Sequence, residues 1–149
     1  LPVLAGAGIR DVIGLDRSTP MLERARAAGS PLVCGDATAL PLASGAFDLV
    51  LASLMVGDVS DLALWAREVS RVLRPGGSLV YSDFHPSWAE NQWERTFESS
   101  DGRSWRLPYH PHSIEEHRRA LGSAGLELIE MDEPVFGDRA VAIVLRAAR

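Results

Sequence analysis

The sequence predicts an α/β protein built on a doubly wound, mostly parallel sheet with a small hairpin insertion. Three observations predict it. Short apolar runs alternate with amphipathic stretches through the first half of the chain, the order that right-handed crossovers need. The run Phe47–Ala52 is almost continuously apolar, which suits a strand covered on both faces. The texture then changes: residues 83–112 hold three of the four tryptophans and three of the four histidines, so they form an insertion or lid.

Each element has a local reason. Val12-Ile13-Gly14-Leu15 is a short buried strand ending at Asp16. Thr19-Pro20 opens a helix to about residue 28, because threonine caps free N–H groups and proline at the first turn loses no bond. Met21, Leu22 and Ala25 are expected to form its buried stripe, and Gly29 and Pro31 stop it. Leu32-Val33-Cys34 is the second strand, closed by Gly35-Asp36, and Phe47–Ala52 is the third. Asp61 to Leu73 is a helix with Leu62, Trp65, Val69, Val72 and Leu73 at helical spacing. Arg74-Pro75-Gly76-Gly77 ends it, and residues 78–82 are the fourth strand. Residues 93–97 and 104–107 read as a hairpin turned at Ser99–Gly102. Ser113 and Glu116 form a reciprocal cap for a helix that Gly125 ends. Residues 126–129 and 140–145 are the last two strands, expected to be antiparallel. Before all of these, Leu1–Ala7 reads as the tail of a helix ended by Gly6 or Gly8.

Size and charge narrow the functions. With 149 residues, 46% of them hydrophobic, the chain builds one core. One domain over 1–149 is expected, made of residues 1–83, the insertion 84–112 and a C-terminal helix and strand pair over 113–149. A net charge of −5 without a basic tract argues against nucleic acid. One cysteine excludes an internal disulfide, and no ligand spacing suggests a metal. The apolar runs are too short for a membrane span and no signal segment is seen, so a cytoplasmic protein is expected.

The candidate site residues follow the strands. Ligands of doubly wound folds bind beyond the carboxyl ends of the strands. Asp16 stands at one such end and suits the ribose hydroxyls of an adenosine cofactor, although a turn or capping aspartate looks the same. Asp36, after Gly35, suits an adenine edge on the same terms. Asp48, at a strand entrance, is more plainly structural. Ala52 and Ser53 are small enough to let a cofactor approach the backbone. Met55 is a core residue or a pocket wall, and Asp58 is a base or a cap. His85 is a candidate general base, since imidazole titrates near neutrality. His110 and His112 shape or bind a substrate, and His117 reads as a surface residue. Trp88, Trp93, Phe97, Trp105 and Tyr109 either bury a hairpin against the sheet or wall an apolar pocket.

Three stretches in this order resemble the class I, Rossmann-fold methyltransferases that use S-adenosylmethionine, and within them the small-molecule branch. They are Val12–Ser18 with Met21-Leu22, then Gly35-Asp36-Ala37 with Leu40-Pro41 and Phe47-Asp48, then Arg71–Gly77. The resemblance implies cofactor contacts at Asp16, Arg17, Met21, Gly35, Asp36, Ala37, Ala52 and Ser53, with residues 1–83 as the cofactor half. It implies a small-molecule acceptor at Met55, Phe84, Trp88, Trp93, Tyr109, His110 and His112, with S-adenosylhomocysteine as the product. The family's first strand and glycine-rich loop would lie before Leu1. As it stands the sequence therefore reads as N-terminally incomplete, weak in cofactor binding and prone to pair through an exposed sheet edge as a homodimer. The alternative function is a non-catalytic binding or assembly module derived from such an enzyme. A nicotinamide-dependent reductase is disfavoured, because its Tyr-x-x-x-Lys pair is absent and the chain has no lysine.

Overall fold

A computed structural model of the chain describes residues 4, 6, 8, 9, 11–90 and 94–149. The helix tail expected over Leu1–Ala7 lies partly outside them. What is described fits a helix end, with Ile9 N–H donating to Leu4 O at 3.0 Å and Gly8 at a φ of 79°. The chain forms two compact units, Leu1–Leu42 and Ala43–Arg149.

The first unit is a strand, a helix and a strand. β1 (Gly14–Asp16) runs parallel to β2 (Leu32–Cys34), with Asp16 opposite Cys34. Between them lies α1 (Thr19–Ala25), extended by a 3₁₀ turn over Arg26–Ala28 and stopped by Gly29 at a φ of 73°. The proline is where the sequence placed it, but Ser18 rather than Thr19 is the cap position. The expected buried stripe is corrected. α1 has no buried residue, and Met21 is 51% exposed. Leu22 and Ala25 are half-buried. A seven-residue helix lying on two three-residue strands has too little surface beneath it to cover a full stripe.

The second unit carries the core. Its sheet has the order β3-β4-β10-β7, with β3 (Phe47–Ser53) parallel to β4 (Leu73–Phe84). β10 (Ala142–Ala148) lies antiparallel to both β4 and β7 (Glu127–Asp132), as the sequence suggested for the last pair. α2 (Leu62–Val72) is capped by Asp61, whose carboxylate accepts from Leu64 N–H at 2.8 Å. Its stripe of Leu62, Trp65, Val69 and Val72 is buried, and the Trp65 ring meets Tyr81 of β4 edge-on at 5.1 Å. α4 (Ile114–Ser123) begins with the expected box of Ser113 and Glu116. Burying side chains of the size of Leu79, Leu121, Leu126, Ile143 and Leu145 contributes about 1.5–3 kcal/mol each.

Other expectations shift. β4 begins at Leu73, directly after the helix, because Leu73 pairs with Phe47 and the glycines bond the chain end (Gly76 N–H to Arg149 O, Arg149 N–H to Gly77 O). From Gly77 to Phe84 the strand alternates between buried and half-buried residues, putting Leu79, Tyr81 and Asp83 on one inward face. β3 is an end strand of this sheet and Leu51 is 43% exposed, so apolar character there did not mean cover on both faces. Three elements are added: a one-turn helix α3 (Ser87–Glu90) and a small hairpin of β8 (Val135–Phe136) and β9 (Arg139–Ala140). The insertion hairpin is β5 (Thr96–Glu98) and β6 (Ser104–Arg106), turned where expected. Phe97 and Trp105 face each other across it but are 47% and 49% exposed, so they do not bury it. No helix among the described residues is long and apolar enough to cross a membrane.

Candidate functional site

Asp16 and Asp36 leave the same end of the β1–β2 pair. The parallel register sets Asp16 beside Cys34, and Gly35 N–H donates to Asp16 O at 3.1 Å, so both carboxylates follow from one strand edge. Asp16 is half-buried and its Oδ1 accepts from Ser18 N–H at 2.8 Å. Asp36 is exposed, and its Oδ1 accepts from Thr38 N–H at 2.7 Å and Thr38 Oγ1 at 2.6 Å. Those bonds to Thr38 hold its carboxyl below the usual range, so it stays anionic. This donor set fits a nucleoside: two fixed carboxylates on one edge match the vicinal hydroxyls and exocyclic amine of adenosine. Arg17 is exposed, Ala37 is half-buried, and Gly35 has a structural reason of its own. A Cβ there would lie 2.7 Å from Pro41 Cδ and 3.4 Å from Leu15 Cδ1.

In the second unit, Ala52 sits opposite Tyr81, and Ser53 Oγ lies 3.4 Å from Ser82 Oγ where β3 ends. Leu54 follows with a φ of 52°, bending the chain into Met55 and a 3₁₀ turn over Val56–Asp58, of which Val56 and Gly57 are buried. The segment after β6 lies on this turn. His110 N–H donates to Gly57 O at 2.8 Å, and His112 Nε2–H donates to Val59 O at 2.7 Å. Arg95 closes the other side with a 2.5 Å ion pair to Asp58, which is therefore not a helix cap. Phe84 lies between Tyr109 and Trp88, edge-on to both at 6.2 and 6.3 Å. His110 and His112 stack at 6.5 Å. Trp93 lies outside the described residues.

The structure thus brings Phe84, Trp88, Tyr109, His110 and His112 together around the end of β4. His85 is different. Its Nδ1 accepts from Ser87 N–H at 3.2 Å and lies 2.7 Å from Ser87 Oγ, while its Nε2 lies 3.0 Å from Glu133 Oε2. Both ring nitrogens already have partners in the chain, so a base role requires displacing Ser87. His117, expected on the surface, is 2% exposed and lies 3.0 Å from Tyr81 Oη. Burial drives its pKa down to about 4, so it is a neutral core residue.

Asp83 falls on the substrate side of the fourth strand by sequence, without a role of its own, and the structure puts it inside that strand, facing the core. It is 3% exposed, and burial raises its carboxyl above the usual range. Its Oδ1 accepts from Phe84 N–H at 2.8 Å, and its Oδ2 lies beside Gly57, 3.3 Å from where a Cβ there would be. The available signal was an acidic residue in phase with the buried positions of a strand. Burial, followed by the charge of Asp83, pushes the Tyr109 phenol up to about 12, so it is a hydrogen-bond donor at neutral pH. Asp48, as expected, is structural, with a 2.5 Å ion pair to Arg74.

Residues 1–81, more than half the chain, match the methyltransferase domain family. Over 81 residues the chain is 44% identical to the demethylmenaquinone methyltransferase of Mycolicibacterium vanbaalenii, covering 54% of this chain and 35% of that protein. It is 38% identical over 80 residues to the malonyl-[acyl-carrier protein] O-methyltransferase of Legionella pneumophila, covering 50% of this chain and 28% of that protein. The matches thus span about a third of the length of these curated relatives. A crystal structure of an S-adenosylmethionine-dependent methyltransferase from Mesorhizobium loti aligns over 93% of this chain and 80% of its own, at 26% identity and a TM-score of 0.77. The chain therefore belongs to the methyltransferase domain family, with the Rossmann-like class I fold whose cofactor is S-adenosylmethionine.

Proposed function

We propose that the protein transfers a methyl group from S-adenosylmethionine to a small-molecule acceptor, leaving S-adenosylhomocysteine. The observation that carries this is the pairing of a family match with two carboxylates at one end of parallel strands. Asp16 takes the ribose, with its carboxylate steadied by Ser18 N–H. Asp36 and Ala37 take the adenine edge, with Asp36 held anionic by Thr38. Arg17, Met21 and Gly35 are further cofactor candidates in this unit; in the second unit, taken by itself, Ala52 and Ser53 are the small residues where β3 ends. When bound, the cofactor supplies an electrophilic methyl group on a positively charged sulfur.

The chain's part is orientation. Holding two reactants in line can supply several kcal/mol without a dedicated catalytic group. The acceptor side is the aromatic row of Trp88, Phe84 and Tyr109 with Met55, His110 and His112 beside it. Such walls suit an apolar or aromatic acceptor fixed by few polar groups. Tyr109 contributes its ring to that wall. The two relatives named above carry different acceptors in their names, demethylmenaquinone and malonyl-[acyl-carrier protein], so the family match by itself names no acceptor for this chain.

Calorimetric titration of the full-length protein with S-adenosylhomocysteine tests the reading. Saturable binding that weakens in Asp16→Ala supports it. No heat at millimolar ligand would overturn it.

A further inference from the structure

We infer that Asp83 is a positioning residue: its carboxylate fixes the 56–58 turn to the end of β4, and that turn seats Tyr109 on the acceptor side of the site. What Tyr109 faces rests on the methyl-transfer reading above; how it is held does not.

The geometry converges on Gly57. The Asp83 carboxylate lies against it, with Oδ2 3.3 Å from where its Cβ would be, and its carbonyl accepts from His110 N–H at 2.8 Å. A Cβ on Gly57 would lie 2.2 Å from Tyr109 Cε2, 2.7 Å from Tyr109 Cδ2 and 3.3 Å from Asp83 Oδ2. The phenol ring therefore rests directly on the peptide that Asp83 lies against. The same carboxylate accepts from Phe84 N–H, whose ring meets Tyr109 edge-on at 6.2 Å. One buried side chain thus holds Phe84 by its backbone N–H and lies against the turn on which the Tyr109 ring rests. A carboxylate bonded to a backbone N–H is a stronger anchor than a neutral acceptor. The groups around it are Tyr81 on its own strand, Asp58 on the turn with Arg95 bound to it, and Tyr109 and His112 on the segment above. Protonating Asp83 removes the charge beside Gly57, and Tyr109 should register the change.

The chain has two tyrosines, so labelling with 3-fluorotyrosine gives two fluorine resonances, and Tyr81→Phe assigns them. In the full-length protein the Tyr109 resonance is expected to move in a single step as pH falls through the acid range. That step is lost in Asp83→Asn, which keeps the shape and one acceptor oxygen but not the charge. In Gly57→Ala the Tyr109 resonance shifts to the position of free fluorotyrosine, because the ring no longer fits. A step that survives Asp83→Asn and disappears in His112→Asn overturns the inference, as does an unmoved Tyr109 in Gly57→Ala. Titrating the same samples with S-adenosylhomocysteine separates the two claims. Binding with an unresponsive Tyr109 defeats only the positioning role, whereas a responsive Tyr109 without binding supports that role and defeats methyl transfer.

Discussion

Tyr81 Oη lies 3.0 Å from His117 Nδ1, joining the central strand of the larger unit to its last long helix through a buried polar contact. Both residues are shut from water, at 1% and 2% exposure. This contact gives a pH prediction.

His117 is neutral in the folded protein, its pKa lowered from 6.5 to about 4 chiefly by burial and then by His112. The unfolded chain takes up the proton more readily, so stability is full above pH 6.5 and falls as pH drops toward about 4. The size of the shift corresponds to about 3 kcal/mol. Urea unfolding at a series of pH values checks this. His117→Gln, which keeps a partner for Tyr81 and cannot ionise, should flatten the profile between those limits.

Asp16→Ala should weaken S-adenosylhomocysteine binding by about 10- to 150-fold, the loss of roughly 1.5–3 kcal/mol in charged hydrogen bonds. Asp36→Ala should cost less, because Asp36 is exposed and one of its oxygens is already committed to Thr38. Equal affinities for Asp16→Ala and the parent would remove Asp16 from the cofactor site.

Gly35→Ala forces a methyl group to within 2.7 Å of Pro41 Cδ and 2.9 Å of its Cγ. A proline ring cannot swing aside, so about 1–3 kcal/mol of destabilisation is expected. A fall in melting temperature with any bound cofactor absent would assign the effect to packing. An unchanged Tm would mean the loop yields freely.

Ser113→Ala removes the hydroxyl that accepts Glu116 N–H at 3.2 Å and breaks the reciprocal cap of α4. The cost should be about 1 kcal/mol. Ser113→Asp, which restores an acceptor, should recover most of it in the same chemical-denaturation assay.

The local grammar of the chain was readable. Helical spacing placed α2 within one residue at each end, and Ser113 with Glu116 announced the start of α4. Gly102, within the predicted turn, adopts a positive φ of 78° between β5 and β6. Asp16 and Asp36 could be set at one edge because two short apolar runs end in acid. What failed depended on partners distant in sequence. His117 sits in the polar string Glu115-Glu116-His117-Arg118-Arg119, and only Tyr81, thirty-six residues earlier, explains its burial. Nothing in the sequence around Gly57 marks it, because the ring that rests on it comes from residue 109. Met21 misled because helical spacing names the face that is apolar, not whether a surface exists to receive it.

The alternation along β4 has an evolutionary consequence. Tyr81 and Asp83 are two residues apart on one face, so the residue that anchors the core and the one that steadies the aromatic row share a single register. A change that slides this strand by one position would turn both outward together. If the methyl-transfer reading holds, new acceptor preferences would arise more readily by exchanging residues 85–112 than by altering β4.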